Sequence, residues 1–267
     1  MLKDVIKKSM EGSVLYSPLR DAYQIVLNRA YRKHRKQMGA FYAQFFSKGD
    51  RVFDIGANVG SYSEIFLRLG ARVVAVEPNP ECVAKLKARM TSKRLVVECA
   101  AVGSRESRAT LFLCDDSDTH STLSSEWIGV ARKTPRLGEK HWSQTVDVRV
   151  TTLDNLIAKY GEPRFIKIDV EGFEREVLSG LSRLPRCLSF EFICEFLDAA
   201  VECVKKDCFS PRARFNLVVN DPAALTSGSM RLKLSQWVAA KEMICLLRDS
   251  SLRQAKTYGE IFVRENS

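Results

Sequence analysis

Hydrophobic and polar positions follow a regular order from residue 51 onward. Short apolar runs at 51–55 and 71–76 have the length and the β-branched content of buried strands. The segments that follow them, 61–69 and 80–90, have helical spacing, and a third strand is predicted at 95–99. Two consecutive strand–helix–strand units predict a parallel sheet with right-handed crossovers. The predicted fold class is therefore α/β.

The alternation of strands and helices returns in the second half of the chain. Further strands are predicted at 109–113, 146–150, 164–169, 188–193, 215–219 and 260–264. Further helices are predicted at 153–160, 173–181, 198–207 and 234–247. The stretch 115–144 is polar and has little periodicity, so we predict a long loop there. Loops of this length inside a compact domain are commonly functional.

The N-terminal region differs from the rest. Apolar residues recur at helical spacing within 17–46 and end in an aromatic cluster at 41–46, which predicts two helices packed on the body of the fold. We therefore divide the chain into a basic helical extension, residues 1–46, and one large α/β domain, residues 47–267. The length of 267 residues suits such a domain.

Positive charge is concentrated in this extension. The net charge is +10, and residues 1–36 contain nine Lys or Arg and three acids, so they supply +6 of it. Such clusters can bind nucleic acid by displacing counterions from phosphates. Aromatic residues are sparse in the densest part, 29–36, so we favour a solvated helix face over an RNA or acidic-membrane contact.

Two further observations limit the class of protein to which this sequence can belong. The sequence has no apolar run of the roughly 20 residues that a membrane span needs and no apolar signal core at its start, so the expected compartment is the cytoplasm. Its eight cysteines include no Cys-x-x-Cys pair and no His at zinc-like spacing. We therefore expect reduced thiols, several of them filling the core, rather than zinc ligands or disulfides.

The strongest local motif is Val-Phe-Asp-Ile-Gly-Ala-Asn-Val-Gly at residues 52–60. It places Asp54 at the end of a strand, followed by a loop that leads into a helix. Glycine at positions 56 and 60 lets backbone approach a ligand where a Cβ would collide, and Asn58 tolerates unusual dihedral angles. The dinucleotide pattern G-x-G-x-x-G is absent, which argues against NAD and a pyrophosphate cradle.

A second carboxylate follows at the end of the next strand. Glu77 lies 23 residues after Asp54, where a doubly wound fold presents an acid to a ribose. The two oxygens of a carboxylate can accept both hydroxyl protons of a cis diol. Pro78 then ends the strand and turns the chain. The spacing predicts a ribose site at Glu77.

Four segments together resemble one known family. Residues 53–63, 76–80, 152–154 and 166–174 are similar to the FkbM family of methyltransferases, over about residues 50–195. The resemblance implies a Rossmann-like class I methyltransferase fold with a mostly parallel seven-stranded sheet and helices on both faces. It also implies S-adenosylmethionine as the donor and, as acceptor, an oxygen of a sugar, polyketide or similar metabolite. The basic extension is outside the shared pattern.

With this donor, the motifs predict a cofactor site. Asp54 would receive the ammonium of the methionine portion, directly or through water, and Glu77 the ribose hydroxyls. The resemblance implies that the turn at 100–103 lies near the adenine. The predicted cofactor-binding residues are Asp54, Gly56, Ala57, Asn58, Gly60, Ser61, Glu77, Pro78, Ala101 and Asp169.

Candidate catalytic residues follow the strand at 164–169. A hydroxyl acceptor must lose its proton, and Asp169 ends this strand at the edge where ligands bind in open α/β sheets. Glu171 and Lys167 lie two residues to either side and share its face. Asp169 and Glu171 could instead be helix-capping acids, and Lys167 a structural ion pair. The acids could also share a divalent ion such as Mg²⁺, which we do not favour because the sequence shows no third ligand.

Four residues are candidates for contacts with the acceptor. His120, Ser121 and His141 lie in the long polar stretch, where loops commonly carry binding residues, although a loop histidine is more often merely exposed. Glu191 is an acid within an apolar strand, and a buried acid needs a partner. It could line the acceptor pocket or form a structural pair.

Three functions remain open from sequence. The first is O-methylation of a small-molecule or glycan-like metabolite. The second is an RNA or protein methyltransferase that uses the basic residues 1–36, and the third is a non-catalytic binding module that retains the fold. Fold and donor site do not identify the acceptor, and a homodimer is also left open.

Overall fold

The computed structural model describes residues 29–220, 232–254 and 258–265. The strands are β1 (Arg51–Ile55), β2 (Arg72–Val76), β3 (Leu95–Glu98), β4 (Ala101–Val102), β5 (Ser107–Leu113), β6 (Gln144–Thr151), β7 (Phe165–Ile168), β8 (Cys187–Ile193), β9 (Ala213–Asn220) and β10 (Tyr258–Glu265). The helices are α1 (Arg29–Tyr42), α2 (Ser61–Arg68), α3 (Pro80–Arg89), α4 (Ser125–Arg132), α5 (Leu153–Tyr160), α6 (Glu174–Ser179), α7 (Leu197–Val204), α8 (Ala240–Arg248) and α9 (Ser250–Gln254).

The main sheet has seven strands in the order β3-β2-β1-β7-β8-β10-β9. Neighbouring strands from β3 to β8 are parallel, and β10 runs antiparallel to both β8 and β9. The chain adds β2 and β3 on one side of β1, and later adds β8 on the opposite side of β7, so the strand order reverses between β1 and β7. The loops after these two strands therefore lie together at one edge of the sheet. The prediction of a mostly parallel seven-stranded sheet of the Rossmann-like methyltransferase type is confirmed.

A second, three-stranded sheet has the order β4-β6-β5. Its strands β5 and β6 are antiparallel, and they are the strands predicted at 109–113 and 146–150. The chain between them, which we call the insertion (residues 114–143), was predicted to be a loop. It contains α4 instead, whose first turn is capped because Ser124 accepts the N–H of Trp127 at 3.0 Å.

Apolar side chains cover both faces of the main sheet, because successive residues of a strand point to opposite sides. One face buries Phe53 and Ile55 of β1 against α5, α7 and α8. The other buries an aromatic layer that the end of α1 and the residues directly after it supply. The ring of Phe45 stacks on those of Phe262 and Phe165, with centroids 4.8 and 5.3 Å apart. The predicted aromatic cluster at 41–46 therefore belongs to the core of the fold.

Two other predictions need correction or lie outside the described residues. The helix predicted at 234–247 begins only at Ala240, because Val238 forms an isolated bridge with Phe215. Of the two helices predicted in 17–46, α1 is described and the residues before 29 are not, so the division at residue 46 stays a prediction. Six of the eight cysteines are buried, and none of the eight, all of which lie in the described chain, forms a disulfide. None of the described helices is long and apolar enough to span a membrane.

Candidate functional site

A cleft of about 230 Å³ opens at the carboxyl edge of the main sheet. Its wall is formed by the loops after β1 and β2, the start of β4, the insertion, and the turn after β7. Nine of the predicted cofactor-binding and catalytic residues line it: Gly56, Ala57, Asn58, Ser61, Glu77, Pro78, Ala101, Asp169 and Glu171. Ser121 of the insertion also lines it. The structure therefore brings most of the predicted cofactor residues to one cleft.

The loop after β1 is held in a conformation that needs glycine. Gly56 has φ +79°, and its N–H donates to the carbonyl of Val76 at 2.9 Å. A Cβ on Gly56 would lie 1.8 Å from the carbonyl oxygen of Asp169. The backbone of this loop and that of the turn after β7 are thus in direct contact, which closes the floor of the cleft.

Glu77 is fixed between two loops. It is 6% exposed, and its Oε2 accepts the N–H of Asn58 at 2.8 Å while Oε1 accepts the N–H of Asn79 at 2.8 Å. Asn58 has φ +51°, a left-handed conformation that asparagine tolerates better than most residues. Each carboxylate oxygen can accept more than one hydrogen bond, so both can also receive hydroxyl protons from a diol.

A buried cation lies under the turn after β7. The Lys167 side chain is 1% exposed, and its Nζ donates to Asp169 Oδ2 at 2.6 Å and lies 3.7 Å from Glu260 Oε1. It also lies 4.0 Å from the centre of the Tyr62 ring, a cation–π contact. Tyr42 of α1 donates to Glu260 Oε1 at 2.8 Å. Burial opposes charge on Lys167, but Asp169 and Glu260 outweigh it and hold its pKa well above the usual value.

Three carboxylates converge beside this lysine. Oxygen atoms of Asp169, Glu171 and Glu191 lie within 4.8 Å of one another. Burial, and then the neighbouring Asp169, raises the pKa of Glu171 and of Glu191 well above the usual value. From the sequence, Asp169 and Glu171 were expected to lack a third acid with which to hold a divalent ion. That expectation is wrong, because β8 places Glu191 next to both. The geometry could hold a divalent cation as well as shared protons.

Residues of the insertion contact the turn that carries Glu171 and hold it in place. Glu171 has φ +53° and Gly172 φ +85°, and Thr122 Oγ1 donates to the carbonyl of Glu171 at 2.7 Å. Trp127 of α4 packs so closely that a Cβ on Gly172 would lie 2.3 Å from its Cδ1. Glu174 Oε1 accepts the Gly172 N–H at 3.3 Å, and burial raises the pKa of Glu174 to about 7.

Residues 54–200 match the family model described as the methyltransferase FkbM domain, which spans more than half of the chain. The chain belongs to the FkbM methyltransferase family. It is accordingly an S-adenosylmethionine-dependent methyltransferase. The matched region contains β1 with its glycine loop, β2 with Glu77, and β7 with the carboxylates, so the cleft of this FkbM methyltransferase lies within it.

Solved structures are similar to this FkbM methyltransferase. A precorrin-6y C5,15-methyltransferase from Geobacter metallireducens is 11% identical, with a TM-score of 0.42 over 87% of each chain. A TehB-like S-adenosylmethionine-dependent methyltransferase from Corynebacterium glutamicum is 10% identical, with a TM-score of 0.42 over 94% of this chain and 96% of that one. A comparison with curated protein sequences found no match.

Not every predicted site residue of this methyltransferase lies in the cleft wall. Among the described residues, the wall does not include Asp54, Gly60, His120 or His141. Gly60 caps α2 with φ +84°, and Asp54 lies beneath the glycine loop. His120 is half-buried beside Trp127, with ring centroids 6.0 Å apart.

The position of His141 agrees least with the predicted contact to the acceptor. Its side chain is 67% exposed, and its Nδ1 lies 3.2 Å from Asp116 Oδ2. Ser121, by contrast, lines the cleft while its Oγ accepts the N–H of Cys114 at 3.2 Å. Glu191 is outside the cleft wall of the described chain, yet it joins the carboxylate cluster behind Glu171. These acceptor contacts stay predictions.

Several residues that contact the Lys167 and Glu171 region of this FkbM methyltransferase were not among the predicted site residues. Tyr62, Tyr42 and Glu260 surround Lys167, and Thr122 holds Glu171. Glu260 carried a usable signal, because it is an acid within the apolar strand 260–264, as Glu191 is within its own strand. The tyrosines and Thr122 have no such signal, since their contacts join elements that are far apart in sequence.

The burial of Asp54 predicts a pH-dependent contribution to the stability of this methyltransferase. The side chain is 1% exposed and accepts a hydrogen bond from Ser63 Oγ at 2.6 Å. Burial raises its pKa to about 6, although Ser63 and Lys167 partly oppose the shift. Between pH 4 and 6 the folded state therefore keeps a proton that the unfolded chain releases, and stability from this group falls as pH rises through that window.

We expect the Asp54→Asn variant to remove this pH dependence. A shift of about two pKa units corresponds to roughly 2 to 3 kcal/mol, so the variant should gain about that much relative to the wild type between pH 4 and pH 7. Urea unfolding of both proteins at several pH values measures the difference. A difference in unfolding free energy that stays constant, or moves the other way, contradicts the assignment.

Proposed function

We propose that this methyltransferase transfers the methyl group to a hydroxyl oxygen of a small-molecule or glycan-like acceptor. The observation that carries the proposal is the carboxylate of Glu171, which lines the donor cleft next to Asp169 and has a raised pKa. In the transfer, the C–S bond of the sulfonium breaks and an O–C bond forms. S-adenosylhomocysteine leaves, and the hydroxyl proton must pass to a base.

The carboxylate cluster suits the role of this base. A carboxylate with a raised pKa binds a proton more strongly than an ordinary one, which improves proton transfer near neutral pH. Lys167 offsets the charge of Asp169 at 2.6 Å, so Glu171 can be ionised, and therefore able to accept a proton, without three unbalanced negative charges in the cluster. Thr122 and Trp127 hold the turn of Glu171 toward the cleft. Glu171 would thus accept the proton, and Asp169 would orient it.

The donor would be positioned by the residues already gathered in the cleft. Glu77 would accept the ribose hydroxyls, and the backbone of the loop from Gly56 to Asn58 would follow the methionine portion. Ala101 would lie against the adenine. Because an activated methyl group needs mainly an in-line approach, such positioning supplies much of the rate enhancement.

A divalent ion is the alternative use of the same acids. Mg²⁺ held by Asp169, Glu171 and Glu191 would polarise the acceptor hydroxyl in place of a protein base. Lys167 favours the proton-transfer role, because its ammonium already occupies one oxygen of Asp169. Transfer that survives extensive chelation would agree with this preference, and transfer that requires added Mg²⁺ would reverse it.

The Glu171→Gln variant tests the proposed base. We expect methyl transfer from labelled S-adenosylmethionine to a panel of hydroxyl-bearing sugars and metabolites to fall by about 10²-fold, the lower end for general bases, because Asp169 and Glu191 remain nearby. Binding of S-adenosylhomocysteine, measured by calorimetry, should be unchanged. Glu126→Gln is the matched control, since Glu126 is an exposed acid of α4 that pairs with Arg175. A methylated nitrogen in the product, or full activity of the variant, would refute O-methylation by this base.

A further inference from the structure

A second concave site lies between α1 and α2. It is a cavity of about 580 Å³, which we call the basic groove. Its lining residues are Arg32, Arg35, Lys36, Gly39, Ile65, Arg68 and Leu69. The α1 members have the spacing i, i+3, i+4 and i+7, so they form one face of that helix. Within the described chain, the basic groove shares no lining residue with the cofactor cleft.

The basic groove has a large excess of positive charge. Beneath it, Glu64 pairs with three guanidinium groups, those of Arg35 at 3.1 Å, Arg68 at 2.6 Å and Arg89 at 2.6 Å. Arg32 and Lys36 add two more cations, and none of the described residues that line the cavity is an acid. Four of the seven described lining residues are therefore cations, and two of them, Arg32 and Lys36, are in no ion pair of the described chain. A concave surface lined by one sign of charge focuses the potential and attracts the opposite sign.

The shape of the groove favours a discrete ligand over an extended one. Its cations stand on two facing helices, Arg32 and Lys36 on α1 and Arg68 on α2, while Gly39, Ile65 and Leu69 provide apolar surface between them. The volume is within the range of about 300–1,000 Å³ that small-molecule sites span. A flat membrane surface or a nucleic-acid duplex would contact the cations at the rim of the groove but would not reach the apolar surface between the helices.

Phosphate is the anion that these side chains recognise best. Guanidinium groups donate two parallel hydrogen bonds to phosphate oxygens, and lysine adds a point charge. Because the lining cations stand on two facing helices, they can contact two adjacent phosphates from opposite sides. An organic group attached to them would contact the apolar surface of Ile65 and Leu69.

We propose that the basic groove binds a small molecule that carries a diphosphate, of the nucleoside diphosphate class. The phosphates lie between Arg32 and Lys36 of α1 and Arg68 of α2, and the organic part lies on the apolar surface between the helices. This site is separate from the cofactor cleft, so it does not depend on the proposed methyl acceptor.

Calorimetric titration of the whole chain tests the proposal. The probes are inorganic pyrophosphate and uridine diphosphate, with the cofactor cleft saturated by S-adenosylhomocysteine so that it cannot take up the nucleotide. We expect both probes to bind, uridine diphosphate more tightly, and both more weakly as salt is raised. Arg32→Gln should weaken binding about tenfold or more, because a hydrogen bond to a charged group is lost.

Lys33→Gln is the matched control. Lys33 precedes Lys36 on the same helix and is exposed, but it does not line the basic groove, so its loss should change the Kd less than about threefold. Three results would overturn the proposal: no binding of either probe tighter than about 1 mM, equal effects of the two substitutions, or binding confined to RNA oligomers or anionic vesicles. S-adenosylhomocysteine binding should be the same in both variants, which shows that they are folded.

Discussion

Replacing Gly56 with alanine should destroy the cofactor cleft. The new Cβ would lie 1.8 Å from a backbone carbonyl of Asp169, and φ +79° is left-handed. The left-handed conformation costs about 1–2 kcal/mol in a residue with a side chain. Overpacking adds about 1–3 kcal/mol. Because the atom that the new Cβ would clash with belongs to the backbone, the clash can be removed only if the glycine loop and the turn after β7 move apart.

We therefore expect Gly56→Ala to lower the free energy of unfolding by about 2 to 5 kcal/mol and to abolish measurable S-adenosylmethionine binding. Urea unfolding and calorimetry check the two effects. Gly129→Ala is the matched control, because Gly129 lies within α4 and a Cβ added there would have no described heavy atom of another element within 4 Å. That control should bind the cofactor normally and gain up to about 1 kcal/mol of helix stability. Normal binding by Gly56→Ala would contradict the described backbone contact.

Replacing Lys167 with methionine should be about as damaging to stability. The substitution roughly keeps the length of the side chain but removes the cation that pairs with both Asp169 and Glu260. Breaking a buried pair by removing one partner typically costs about 3–5 kcal/mol, because the remaining charge is left uncompensated. Thermal and urea unfolding measure the loss.

The control for this experiment is Lys159→Met. Lys159 also pairs with an acid, Glu98, at 2.9 Å, but its side chain is 57% exposed. An exposed ion pair contributes little, so the melting temperature should barely change. If both lysine variants lose the same stability, then the buried network does not act through charge.

The main sheet was predictable because its signals are local. Each parallel strand is a short apolar run, and each is followed by a helix of regular spacing, so β1, β2 and β7 could be located from periodicity. The cleft was predictable for the same reason. The carboxyl ends of parallel strands share one edge, which places Glu77 and Asp169 together once their strands are known.

The remaining features depend on contacts between distant segments. α4 was missed because only Trp127, Ile128 and Ala131 of its eight residues are buried, which is too short an apolar face to give a periodic signal. Glu191 was noticed as a buried acid, but its partners could not be named without knowing that β8 lies beside β7. The placement of Asp54 depends on Ser63, whose hydroxyl reaches back from α2 and donates to it in the core.

The position of β10 has a consequence for synthesis on the ribosome. This strand pairs with β8 on one side and β9 on the other, although both precede it in the chain. During translation, the edge of β8 that faces away from β7, which is largely apolar, therefore stays unpaired until β10 has been synthesised. Unpaired strand edges template association with other chains. The nascent protein should accordingly be a client for chaperones that shield such edges until β10 is in place.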